Sequence, residues 1–235
     1  MAFLNWLFRD DHQKASSLVL RQHPEGILSS KLESRNGPNR RAFEHTKNIP
    51  IGDFRFIALD VETACGDAAS ICQIGLACVR SDNSIETFSM LIDPETRFDK
   101  FNVQLHGIGS EHVLGASCFP DALSLISPLL SEHHLIQHSG FDKRAIAAAC
   151  LSYDLNQPDW RWSDSVMIAR KAWPELKGNG GHGLASLKRE LDLAFHHHDA
   201  GEDARAAAMV VLHAEARLGM PFDELLLPAP KRGSK

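Results

Sequence analysis

The spacing of apolar and polar positions changes character along the chain. From Phe54 to Asp60 the run Phe-Arg-Phe-Ile-Ala-Leu-Asp alternates and then becomes continuously apolar, as a central strand does. Ser70–Arg80 reads as a second strand, Asp82-Asn83-Ser84 as a tight turn, and Ile85–Ile92 as a third strand. Together they predict an antiparallel meander, stopped by Pro94. Beyond it the helical period takes over. Phe119–Leu130 is helical in pattern, with a proline at its start and a bend expected at Pro128. His134–His138 is a short apolar strand, and Asp142–Leu151 an alanine-rich helix. Ser163–Ala172 and Leu184–Leu191 read as two more helices, and Glu202–Leu218 as the last long one. A meander followed by strands alternating with helices predicts an α/β fold, a mixed sheet packed by helices.

The ends differ from this middle. Residues 1–50 read as an N-terminal extension, partly helical or flexible. The stretch 11–34 carries Leu18, Leu20, Ile27 and Leu28 at a ragged period, and Arg35–Arg41 is polar and turn-rich. Residues 51–218 form the main domain. Residues 219–235, with prolines and a basic end at Lys231–Lys235, read as a C-terminal tail.

Composition narrows the class. A 43% hydrophobic and 23% charged chain is that of an ordinary globular protein, not a disordered one. No apolar run reaches the roughly 20 residues a membrane helix needs, so no membrane partner is expected. Met1–Phe8 lacks a basic leading segment and is followed by Arg9, Asp10 and Asp11, so a signal peptide is not expected. Five cysteines, an odd number without a close CxxC pair, suggest reduced thiols and a cytoplasmic protein. The net charge of −5 argues against a protein that coats nucleic acid by charge alone. It leaves a nuclease open, because catalytic carboxylates are themselves acidic and bound cations would offset them.

Candidate chemistry lies in three places. Asp60 and Glu62 stand two apart at the end of the first strand, so both carboxylates face one side. Like charges so close need a cation, and hard divalent ions take oxygen ligands. Taken alone, such a pair also fits a solvent-facing strand end. Asp142 follows a strand and opens a helix, where an aspartate also serves as a cap. Asp203 enters the last helix five residues after His198, and an imidazole is suited to take a proton near neutral pH. The run His196-His197-His198 also fits a solvated turn; no ligand spacing supports zinc.

In this order and context the set resembles the DEDDh exonuclease family, which includes the epsilon subunit of bacterial DNA polymerase III, ribonuclease T and oligoribonuclease. The resemblance runs from about Phe54 to Leu218. Asp60-Val-Glu-Thr63 with Ser70-Ile-Cys-Gln-Ile-Gly75 is similar to the first motif, Phe141-Asp142 to the second, and His198–Asp203 to the third. His106-Gly107-Ile108 is similar to a loop that in the family touches the terminal nucleotide. One departure stands out: the second motif in the family usually reads HNAxFD, and here it is Gln137-His-Ser-Gly-Phe-Asp142.

The resemblance implies a ribonuclease H-like mixed five-stranded sheet flanked by helices. It implies a 3′→5′ exonuclease releasing nucleoside 5′-monophosphates, with DNA favoured. Two Mg²⁺ or Mn²⁺ ions would be held by Asp60, Glu62, Asp142 and Asp203, and His198 would act as general base. The substrate end would meet the backbone of Val61, Thr63 and Ala64 and the His106-Gly107-Ile108 loop, with Ile108 as an apolar wedge or as an ordinary packing residue. Lys143, Arg144, Arg161 and Lys188 are candidates for phosphate contact. The expected partners are a single-stranded or frayed 3′ end of DNA or RNA, and a DNA polymerase or a second copy of the chain. The competing readings are a nuclease-fold subunit that binds nucleic acid or a polymerase without significant catalysis, and a different metal-dependent phosphoesterase.

Overall fold

The computed structural model describes residues 48–178, 181–193 and 198–227. The ragged segment 11–34, the turn-rich run Arg35–Arg41, His196, His197 and the basic end at Lys231–Lys235 lie outside them. The described residues build a five-stranded sheet in the order β3-β2-β1-β4-β5. Strands β1 (Phe56–Thr63), β2 (Ile71–Val79) and β3 (Ile85–Leu91) form the expected antiparallel meander. Strands β4 (His134–Gln137) and β5 (Arg161–Asp164) run parallel to β1.

Helices cover both faces, and the alternation along β1 decides which residue meets which layer. Phe56 and Ala58 join Ala77, Val79 and Ile136 under α4 (Ser165–Ala172), α5 (Leu184–Glu190), α6 (Ala200–Leu218) and α7 (Phe222–Leu226). Ile57, Leu59 and Val61 join Ile74, Leu76 and Leu135 under α2 (Phe119–Glu132) and α3 (Phe141–Ser152). With both faces buried, β1 and β2 need apolar side chains on each, which is why they read as unbroken apolar runs.

Several expectations shift. Ser163 and Asp164 belong to β5, not to the following helix. α4 begins at Ser165, with the Asp164 carboxylate accepting from the Val166 N–H at 2.8 Å. A short helix, α1 (Lys100–His106), lies where none was expected. The segment after Gly219, expected as a tail, contains α7. Its Phe222 stacks on Phe56 at 4.5 Å between ring centres, and its Leu225 is buried. Lys171 on α4 donates to the carbonyls of Leu225 and Leu227 at 2.7 and 2.6 Å.

Helix α6 sits unusually close to the sheet at its first turn. A Cβ on Gly75 would lie 2.1 Å from the Ala200 carbonyl carbon, and one on Gly201 would lie 2.1 Å from Ser89 Oγ. Gly75 pairs with Asp60 on one side and Ser89 on the other. The helix therefore rests on a row of the sheet that begins at Asp60. Gly75→Ala forces the helix off this seat. Overpacking of this kind costs about 1–3 kcal/mol or more, which at roughly 2–4 °C per kcal/mol lowers Tm by several degrees in thermal denaturation. Gly66→Ala, where an added Cβ meets nothing within 4 Å, leaves Tm within about 1–2 °C.

Candidate active site

The site lies at the end of β1, where the first turns of α3 and α6 converge from opposite faces of the sheet. Asp60 and Glu62 project to the α6 side, as their two-residue spacing requires. Glu62 pairs with Gln73, and the register slips immediately after it, so that Thr63 meets Ile71 and Cys72 is the extra residue. Such a bulge re-aims a strand end.

Asp142 arrives in the first turn of α3. It is 2% exposed, and its Oδ1 accepts the Val61 N–H at 3.1 Å, which ties the helix start to β1 between the two strand carboxylates. Asp203 arrives in the first turn of α6, also buried. Its Oδ2 accepts the His198 N–H at 3.0 Å. His198 holds a left-handed backbone, φ +69°, a conformation that non-glycine residues keep only where surrounding structure enforces it. Glu62, His198 and Asp203 each offer a ligand atom, all within 4.8 Å of one another.

The charges explain what this arrangement lacks. Burial, and then repulsion from Asp142, Asp203, Glu62 and Asp199, raises the Asp60 carboxyl well above its ordinary range. Burial followed by Asp203, Asp142 and Asp199 raises Glu62 to about 8. Burial raises Asp142 to about 7, against the lowering effect of its backbone hydrogen bonds. The neighbouring charges that raise these three groups are carboxylates. An oxygen-rich, negatively charged, largely dehydrated donor set fits hard divalent cations.

The remaining expected residues have other work. His106 is buried; its Nδ1 accepts the Ile108 N–H at 3.0 Å, so its Nε2 carries the proton and donates to the Thr63 carbonyl at 3.1 Å. Burial lowers its pKa, keeping it neutral. It fastens the loop to β1 together with Asn102, whose amide donates to the Thr63 carbonyl at 2.8 Å. Of the two readings of Ile108, the structure has it packed: it is 0% exposed, against Ala64, Cys72, Leu91 and Val113. The backbone at Val61, Thr63 and Ala64 makes bonds within the protein. The Val61 N–H goes to Asp142, the Ala64 N–H to Ser70, and the Ala64 carbonyl to Asp99. Of the loop, Gly107 is exposed. Lys143, Arg144 and Arg161 are exposed.

Gln137, at the departing motif position, is buried, and its Oε1 accepts the Lys143 N–H at 3.1 Å. It caps α3, whose N-cap Gly140 has no side chain to do so. His138 meets Ser165 Oγ at 2.8 Å, a bond at the strand end rather than part of the carboxylate cluster. Gln73 and Asp199, quoted within the first and third motif runs but given no role from the sequence, hold the start of α6. A lone amide in an apolar strand and an aspartate directly before a helix were the available signals.

The chain matches the family model described as RNase_T, Exonuclease, over residues 57–211. It is 27% identical over 168 residues to the PolC-type DNA polymerase III of Streptococcus mutans, covering 70% of this chain but 11% of that protein. Among solved structures it resembles exonuclease X in complex with 5′-overhanging duplex DNA (TM-score 0.58, 20% identity, 72% of this chain and 96% of that one). It also resembles the nuclease domain of 3′hExo, a DEDDh family member bound to rAMP (TM-score 0.58, 16% identity, 70% and 92%). These likenesses carry the fold. The family model covers most of the chain, and with it the chain belongs to the RNase_T exonuclease family.

Proposed function

We propose that the protein removes nucleotides one at a time from the 3′ end of a DNA strand, releasing nucleoside 5′-monophosphates. The observation that carries this reading is the meeting of Asp60, Glu62, Asp142 and Asp203 with His198 at one strand end, where burial and mutual repulsion raise three of the carboxyls. The four carboxylates would hold two Mg²⁺ or Mn²⁺ ions, whose chemistry is to lower the pKa of a water and to stabilise charge on a phosphoryl group. His198 stands within reach of Glu62 and Asp203, where an imidazole takes the proton of the attacking water. Asp203 also accepts the His198 N–H, so one residue both belongs to the ligand set and sets the base. The polymerase relative supports DNA over RNA. Five free cysteines suit a reducing, cytoplasmic location. A polymerase or a second copy of the chain is the proposed protein partner.

Asp142→Asn and Asp203→Asn abolish nucleotide release from 5′-labelled oligonucleotides in Mg²⁺ or Mn²⁺, and chelation does the same. His198→Asn, which tolerates the left-handed backbone, costs on the order of 10²-fold. Full activity in Asp203→Asn removes the assignment. Matched single-stranded DNA, frayed duplex DNA and RNA, analysed for mononucleotide products, decide direction and sugar preference.

Protonation gives a second measurement. A carboxyl whose folded pKa is raised stabilises the fold fully below its unfolded value near 4, and that stabilisation is lost as pH rises through the folded value. For Glu62 and Asp142 the loss falls between pH 4 and about 8. Metal-free protein in chelator therefore loses Tm as pH rises from 5 to 9, by several degrees at roughly 2–4 °C per kcal/mol. Mn²⁺ binds the ionised form, so its stabilising increment is larger at pH 8 than at pH 6. A Tm that stays flat over this range in chelator contradicts the buried cluster.

A further inference from the structure

We propose that Gln73 and Asp199 form a positioning clamp that seats the first turn of α6, and with it His198 and Asp203, against Glu62. The inference rests on the reading of His198 as base and Asp203 as ligand. Gln73 is 2% exposed and polar in a strand, Ile-Cys-Gln-Ile-Gly-Leu-Ala-Cys-Val, that is otherwise apolar and wholly buried. It pairs directly with Glu62. Its Nε2 donates to Asp199 Oδ2 at 3.3 Å, and its Oε1 accepts the Ala200 N–H at 3.1 Å. The other Asp199 oxygen accepts the N–H groups of Gly201 and Glu202, each at 3.1 Å. Both ends of one amide are thus spent on the entry to α6, the residues directly between His198 and Asp203.

The chemistry at this position is exacting. One side chain must donate to a carboxylate and accept from a backbone N–H, which an amide does and a carboxylate or an apolar chain does not. A glutamate here would keep the acceptor but set a second carboxylate against Asp199, beside Glu62. Losing both bonds would leave the Ala200 N–H buried without its partner and free the turn to shift. A shift of about 1 Å at a reacting group costs up to roughly 100-fold in rate.

The test exchanges the two functional groups. In Q73E/D199N the carboxamide introduced at position 199 still accepts from Gly201 and Glu202 through its oxygen. Its NH₂ group donates to the carboxylate introduced at position 73, and that carboxylate accepts the Ala200 N–H. The formal charge is unchanged. Q73M, Q73E, D199N and the double variant are compared with wild type for kcat and KM on an end-labelled oligonucleotide, and for the rise in Tm on adding Mn²⁺. The expected result is a fall in kcat of about 10- to 100-fold in Q73M and Q73E with KM little changed, and a reduced Mn²⁺ increment. The double variant recovers about tenfold or more over Q73E. If Q73E does not fold and the double variant does, the recovery of folding supports the clamp in the same way. Phe222→Ala, at the far end of β1, lowers Tm while leaving kcat and the Mn²⁺ increment as in wild type. Wild-type kcat and Mn²⁺ increment in Q73M, or a double variant no better than Q73E, overturn the clamp. A wild-type protein that releases no nucleotide removes the proposed reaction instead, and the Mn²⁺ increments alone then decide the clamp.

Discussion

The structure depends on how closely the first turn of α6 lies on the sheet. Gly75 has no side chain to hold the helix away, and Gly201 has none to strike Ser89. Since Gly75 pairs with Asp60, this contact sets the distance from a strand carboxylate to the helix that carries Asp203. A helix held off a sheet by ordinary side chains stands too far away for short carboxylates on both to share a cation. The missing Cβ atoms remove that spacing at one end of the helix only. Farther along, Ala204, Ala207, Ala208 and Val211 are buried in the core between helix and sheet.

The second constraint is electrostatic and opposes the first. Burying several carboxylates together is unfavourable, and it raises the affinity of Asp60, Glu62 and Asp142 for protons. In the first turns of α3 and α6, the partial positive charge of the helix start offsets part of this cost. Asp142 and Asp203 occupy those turns. The site is therefore held together by apolar packing on both faces and made receptive to cations by the charge that the packing confines.

Much of this was legible in the residues, for identifiable reasons. Strands β1 and β2 are buried on both faces, so their apolar runs are unambiguous. The site carboxylates fall at element boundaries, where polar residues stand out. β5 was hidden because Arg161-Trp-Ser-Asp164 is four residues long, partly exposed, and without an apolar period. α1 escaped notice at seven residues with only His106 buried. α7 lies between prolines and glycine, and nothing local signals that Phe222 finds Phe56 more than 160 residues away in sequence. The burial of Ile108 was equally invisible, since a loop residue declares its environment only through tertiary contacts. Gln73 was read as one more strand residue, because its partners lie on a distant segment.

Gln137 carries a consequence of its own. Where the related motif has an imidazole, this chain has a carboxamide, and that amide caps the helix bearing Asp142. A carboxamide does not titrate in water at any pH at which the protein is folded. The seat of Asp142 is thus indifferent to acid and base, unlike one built on histidine, which changes charge near neutrality. That cap stays uncharged while the raised carboxyls of Glu62 and Asp142 gain and lose protons beside it.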